Sequence, residues 1–139
     1  MKKSYTTFDH TSDLGIEVRA TNLEELFINS AQALYDQLLH DYQQDSQFQE
    51  KINLQATDQE LLLHDFLGEL LSVFWSDHKI YTNFQIEKLS NIHLDIIAEG
   101  YRSEMEKLRI RREIKAVTYH QLQIKQTGNN YQAKFVLDI

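Results

Sequence analysis

Between Leu61 and Trp75 the apolar residues fill far more than one helical stripe: Leu61, Leu62, Leu63, Phe66, Leu67, Leu70, Leu71, Val73, Phe74 and Trp75. A surface helix buries one face, whereas a helix that is apolar on most sides must be covered on most sides. The segment is therefore either the buried central helix of the fold or a helix that meets another subunit. Thr57 or Asp58 opens it, and Glu60 stands in capping-box position relative to Thr57. Everything else in the chain has to be compatible with that helix.

The other elements follow from local patterns. Leu14, Ile16, Val18 and Ala20 alternate with Gly15, Glu17 and Arg19, the period of a half-buried strand. Thr21 or Asn22 then caps a helix whose apolar residues run from Leu23 to Leu38 on one face, with Glu24 and Glu25 in its first turn. His40 to Gln49 is polar and reads as a loop; Ile52, Leu54 and Ala56 mark a short strand. After Tyr81, Phe84 and Ile86 begin one strand, and Ile92 to Ala98 form another that ends at Gly100. Lys107 to Lys115 reads as a basic, short helical or irregular link, and Ile114 to Ile124 as a strand. Thr127-Gly128-Asn129-Asn130 has hairpin-turn chemistry, and Tyr131 to Leu137 returns alongside the preceding strand. This order predicts an α+β fold: a mixed, largely antiparallel sheet covered by two helices. With no composition break and no repeat, residues 1–139 are expected to form a single domain.

Charge and composition narrow the function. A net charge of −7 argues against general nucleic-acid binding, which needs Lys and Arg to neutralise phosphates, but permits a cation or a basic partner. The absence of cysteine excludes disulfides, zinc–thiolate sites and thiol catalysis. No run of about 18 apolar residues predicts a membrane span. Met1-Lys2-Lys3 is followed by Ser4, Tyr5, Thr6 and Thr7 in place of an apolar signal core, so a cytoplasmic location is expected.

Three places carry candidate chemistry. Asp9-His10-Thr11-Ser12-Asp13 packs two carboxylates, an imidazole and two hydroxyls between strand-forming residues. Its plain reading is an Asx-type turn. Its functional reading is a hard-cation site, incomplete on two carboxylates because Ca²⁺ and Mg²⁺ usually take about six or more oxygens. Asp138 and the carboxylate of Ile139 are the second place: alternation turns Asp138 away from the apolar face that holds Leu137. A solvated chain end is the plain reading there. The third is Glu113 to His120, where Lys115 and His120, five apart on a predicted strand, fall on opposite faces. Without other information they are a surface lysine and a hydrogen-bonded strand histidine. Lys107, Arg109, Arg111, Arg112 and Lys115 form a basic cluster that is either a solvated face or a contact for phosphates or an acidic partner. His40, His64, His78 and His93 lack ligand spacing and read as structural or surface residues. No P-loop, dinucleotide turn, zinc motif or serine elbow is present.

Four segments together resemble the archease family: Phe8-Asp9-His10-Thr11-Ser12-Asp13-Leu14-Gly15; Leu23-Glu24-Glu25-Leu26-Phe27; Leu61 to Leu71; and Glu113 to His120 with Leu137-Asp138-Ile139. Ser12 departs from the alanine usual there, a small-for-small change. The resemblance implies a non-enzymatic cofactor of the tRNA-splicing RNA ligase, which joins 2′,3′-cyclic phosphate or 3′-phosphate ends to 5′-hydroxyl ends. It implies acceleration of the ligase's guanylylation by GTP, multiple turnover, and contact with RNA only through the ligase. It also implies a divalent metal ion, Ca²⁺ first with Mg²⁺ or Mn²⁺ as alternatives, held by Asp13 and Asp138 with Asp9 and the Ile139 carboxylate. Lys115 matches the lysine of the family's Lys-Ala-Val-Thr-Tyr-His block, and His10, Lys115 and His120 are the expected partner or nucleotide contacts. The rival readings are a small metal-dependent phosphoester hydrolase using Asp9, His10, Asp13 and Asp138, and a metal-independent chaperone-like scaffold. A geometric expectation follows: Asp13 and Asp138 should be near neighbours in the fold.

Overall fold

The computed structural model describes residues 4–10 and 13–139, with the side chains of Asp9 and His10 outside the description. Two antiparallel sheets enclose two helices. The first sheet contains β1 (Tyr5–His10), β2 (Asp13–Ala20) and β8 (Asn130–Asp138) in that order, with β6 (Ala116–Val117) and β7 (Gln123–Thr127) paired along the far side of β8. The second places β5 (His93–Arg102) between β3 (Phe48–Gln55) and β4 (Lys79–Leu89). The α+β class with two helices is as expected. The single mixed sheet is not: the strands divide between two sheets, and every described strand pairing is antiparallel.

α1 (Leu23–Leu38) starts at Asn22, whose side chain accepts from the Glu25 N–H at 2.8 Å. α2 (Gln59–Asp77) starts at Asp58, which accepts from the Leu61 N–H at 2.9 Å. The Thr57–Glu60 capping box is therefore not formed. Glu60 instead accepts the backbone N–H of Ile124, at 2.9 Å, and so ties β7 to the helix start. Both helices touch strands of both sheets. This settles the open question about α2: Leu62, Leu63, Phe66, Leu67, Leu70 and Phe74 are fully buried because there are strands on either side of the helix. Phe66 stacks on Phe27 of α1 at 6.0 Å and meets Phe84 of β4 edge-on at 5.6 Å.

Four expected boundaries move, the first being the start of β4, at Lys79 and not at Phe84. β3 begins at Phe48, inside the predicted loop, and β5 continues past Gly100 to Arg102. The strand predicted over 114–124 is broken into β6, a turn and β7. Thr118 causes the break: its N–H and its hydroxyl both donate to Val136 O, at 3.0 Å each, while Oγ1 accepts the His120 N–H at 3.1 Å. Gln121 then adopts a left-handed φ of 55°. The hairpin at Thr127–Asn130 forms as expected, with Gly128 at φ 61°; glycine in the first central position is what a type II′ turn requires.

The basic cluster has a structural role. α1 lacks basic residues in its last turn, and the segment after the 3₁₀ turn Met105–Lys107 runs past that end of the helix. Arg111 N–H donates to Leu38 O at 2.7 Å, His40 N–H to Arg109 O at 2.8 Å, and Arg112 Nε to Gln37 Oε1 at 3.2 Å. The segment's backbone is thus tied to the carbonyl end of the helix, and Arg112 brings a cation there, where the dipole favours it. Arg109 also pairs with Asp41 at 2.8 Å, and Lys107 with Glu104 at 3.6 Å.

On the second sheet, Lys79 Nζ and the Tyr81 hydroxyl both donate to Glu50, at 2.7 Å each. The Lys79 bond above all, with help from Tyr81, holds the Glu50 carboxyl below the usual carboxylate range. A depressed folded-state pKa gives stability that is present above the unfolded value and lost as pH falls through the folded one. Glu50→Gln should therefore narrow the gap in melting temperature between about pH 6 and about pH 3, as measured by circular dichroism. A gap equal to wild type would show that this carboxylate does not contribute to the acid limb.

Candidate metal and partner-contact site

The register of the first sheet builds the site. On β2 and β8, Leu14 opposes Leu137, Ile16 opposes Phe135 and Val18 opposes Ala133, all buried toward the helices. Residues between them belong to the outer face. Asp13 and Asp138 are such residues, and they are direct cross-strand partners, with Ala116 of β6 on the other side of Asp138. Paired Cα atoms in an antiparallel ladder lie about 4.5–5.5 Å apart. The expected neighbourhood of Asp13 and Asp138 is therefore present. Both are half-buried, as is Ile139, which directly follows β8. The Lys115 N–H donates to Asp138 O at 2.7 Å, fixing the Asp138 backbone from the β6 side.

The other expected ligands and contacts are placed less directly. On the backbone register His10 opposes Asp13, whereas Asp9 opposes Leu14, one row along. The side chains of both lie outside the described residues. Lys115 is exposed. It borders a cleft of about 580 Å³ between α2 and β6, together with Gly68, Ser72 and Trp75. His120 is exposed in the turn after Thr118, on a separate element from Lys115.

Two carboxylates directly opposite on adjacent strands repel each other, and a cation between them relieves that cost. Oxygen-only donors suit a hard divalent ion. The donor chemistry thus fits Ca²⁺ or Mg²⁺, and the donor count is short, because no group of three or more His, Cys, Asp or Glu converges among the described residues.

One residue set aside in the sequence belongs to the frame of the site. His64 of α2 has Nε2 at 2.8 Å from Val117 O and Nδ1 at 3.0 Å from Asp65 Oδ1, and its ring stacks on Tyr119 with centroids 4.0 Å apart. Farther along α2, Trp75 Nε1 donates to Ile114 O at 2.8 Å. The available signal was an imidazole embedded in an otherwise apolar helix; histidine spacing, a test for metal ligands, could not find it.

Residues 5–139 match the model of the Archease protein family (MTH1598/TM1083). The chain belongs to the archease family. It is 33% identical to the protein archease of Methanosarcina barkeri, covering 99% of this chain and 97% of that one. It is 31% identical to the protein archease of Pyrococcus abyssi, over 99% of each chain. The solution structure of Methanobacterium thermoautotrophicum protein 1598 superposes with a TM-score of 0.81 at 27% identity, covering 99% of this chain and 100% of that one. A crystal structure of an archease from Thermotoga maritima, described as a possible chaperone, shares the fold with a TM-score of 0.63 at 20% identity, over 95% and 94% of the two chains. In this archease no described helix is long and apolar enough to cross a membrane.

Proposed function

We propose that this archease is a protein cofactor, not itself an enzyme, that activates the tRNA-splicing RNA ligase. It accelerates guanylylation of the ligase by GTP and allows multiple turnover in joining 2′,3′-cyclic phosphate or 3′-phosphate ends to 5′-hydroxyl ends, in the cytoplasm. The observation that carries this reading, alongside family membership, is the cross-strand pairing of Asp13 with Asp138. The two carboxylates hold a divalent ion, Ca²⁺ first, with oxygens of Asp9 and Ile139 as further donors. The ion supplies positive charge for phosphate oxygens of the ligase's nucleotide. Lys115, His10 and His120 are the contacts toward the ligase and its nucleotide, and RNA is met only through the ligase.

The test is a guanylylation time course of the cognate ligase with substoichiometric archease. Wild type should accelerate it through many turnovers, and Asp13→Ala and Asp138→Ala should each remove most of the acceleration. In parallel, Ca²⁺ at about a hundred times its Kd should raise wild-type stability by about 2.7 kcal/mol, and the two variants should lose that shift. Full stimulation by both alanine variants would refute the carboxylate mechanism. Hydrolysis of phosphoesters by the archease alone, without ligase, would instead support an enzyme.

A further inference from the structure

We propose that His64 is a positioning residue for the carboxylate site, acting through β6. Strand β6 has only two residues, Ala116 and Val117, yet it flanks Asp138 and directly follows Lys115, whose N–H bonds the Asp138 carbonyl. Two residues of ladder cannot hold a strand in place unaided. α2 holds the segment from its other side at two points. Trp75 Nε1 takes Ile114 O before the strand, and His64 Nε2 takes Val117 O at its end. A carbonyl only accepts, so the bond to Val117 O requires a proton on Nε2, while Asp65 Oδ1, also only an acceptor, faces Nδ1. The His64 side chain is 12% exposed, and its ring also supports Tyr119, which is itself 67% exposed. Ile114 and Val117 are themselves buried in the core, whereas between the two points the helix offers Gly68, where even a Cβ would meet nothing within 4 Å. The histidine and tryptophan thus act as a clasp that sets where Lys115 and Asp138 stand relative to Asp13.

Hydrogen exchange in the folded protein tests the clasp, with the Lys115 and Thr118 amides as reporters, since both donate to β8 carbonyls. His64→Phe keeps a ring for Tyr119 and removes the donor. It should speed exchange at the two amides by about tenfold, as loss of one buried hydrogen bond implies, with amides in the middle of α1 unchanged. His64→Gln restores a donor and should return both rates toward wild type. The consequence for function rests on the ligase-cofactor reading: His64→Phe should lower maximal stimulation of guanylylation while leaving the half-maximal archease concentration unchanged, and His64→Gln should rescue it. Unchanged exchange in His64→Phe, failure of rescue by glutamine, or faster exchange with full stimulation would each overturn the proposal. If wild type fails to stimulate the ligase, the cofactor reading fails while exchange still decides the clasp. Should His64→Phe not fold, Trp75→Phe keeps a ring and removes the other donor of the clasp. It should accelerate the Lys115 amide, and an unchanged rate there would also overturn the clasp.

Discussion

Gly100→Ala should destabilise the protein by about 3 kcal/mol, the upper end of the usual cost of overpacking, in equilibrium urea unfolding. Gly100 lies on the central strand of the second sheet, opposite Phe48 on one side and Tyr81 on the other. A Cβ there would run into the Ile80 carbonyl and the Tyr81 Cα. These are backbone atoms, so no side-chain rotation can make room, and β4 would have to move. The ladder next to this point already shifts register, between Tyr81 and Asn83. The strands approach more closely than any other residue allows, which is one of the recognised uses of glycine inside a strand. A loss under about 1 kcal/mol would show that β4 yields easily and that the close approach is not a constraint.

Phe66→Ala should cost about 3–5 kcal/mol, the range for removing a fully buried phenylalanine. Phe66 is at 0% exposure in the middle of α2, between Phe27 of α1 and Phe84 of β4. Its removal leaves a cavity between the helix pair and the second sheet, where neither side can collapse without disturbing the other. Against a typical total of about 5–15 kcal/mol, such a loss should lower the melting temperature by many degrees. A drop of only a few degrees in a scanning calorimeter would mean that the two sheets close onto the gap. The same result would weaken the view of α2 as the shared core.

These two positions also show how far local pattern reaches. The crowding of α2 with apolar residues was enough to demand cover on most sides, and Phe66 belongs to that crowd. Whether a strand or a second subunit supplied the cover was not readable, because an apolar surface does not encode what covers it. In the sequence, Gly100 reads as the end of a strand. Only the approach of Ile80 from a neighbouring strand distinguishes an end from a close passage. Likewise, both Thr57 and Asp58 are competent N-caps; Asp58 is used, and Glu60 is left to hold β7. Thr118 has a side chain that suits a strand, and it makes a turn because its hydroxyl reaches Val136 O on β8.

The site divides along the same line. By itself the sequence determined that Asp138 faces away from the apolar side of its strand, that Thr21 or Asn22 opens a helix and that Gly128 turns a hairpin. Each is a preference of a few adjacent residues, set by alternation, capping or a left-handed φ. Only the tertiary structure decided that Asp13 stands opposite Asp138, because strand pairing and register are contacts between distant segments. It alone decided that His64, spaced like no ligand, reaches across from α2 to the strand that flanks them. The physical reason is that face follows from the backbone geometry of one strand, whereas neighbours follow from how the strands and helices pack around one core.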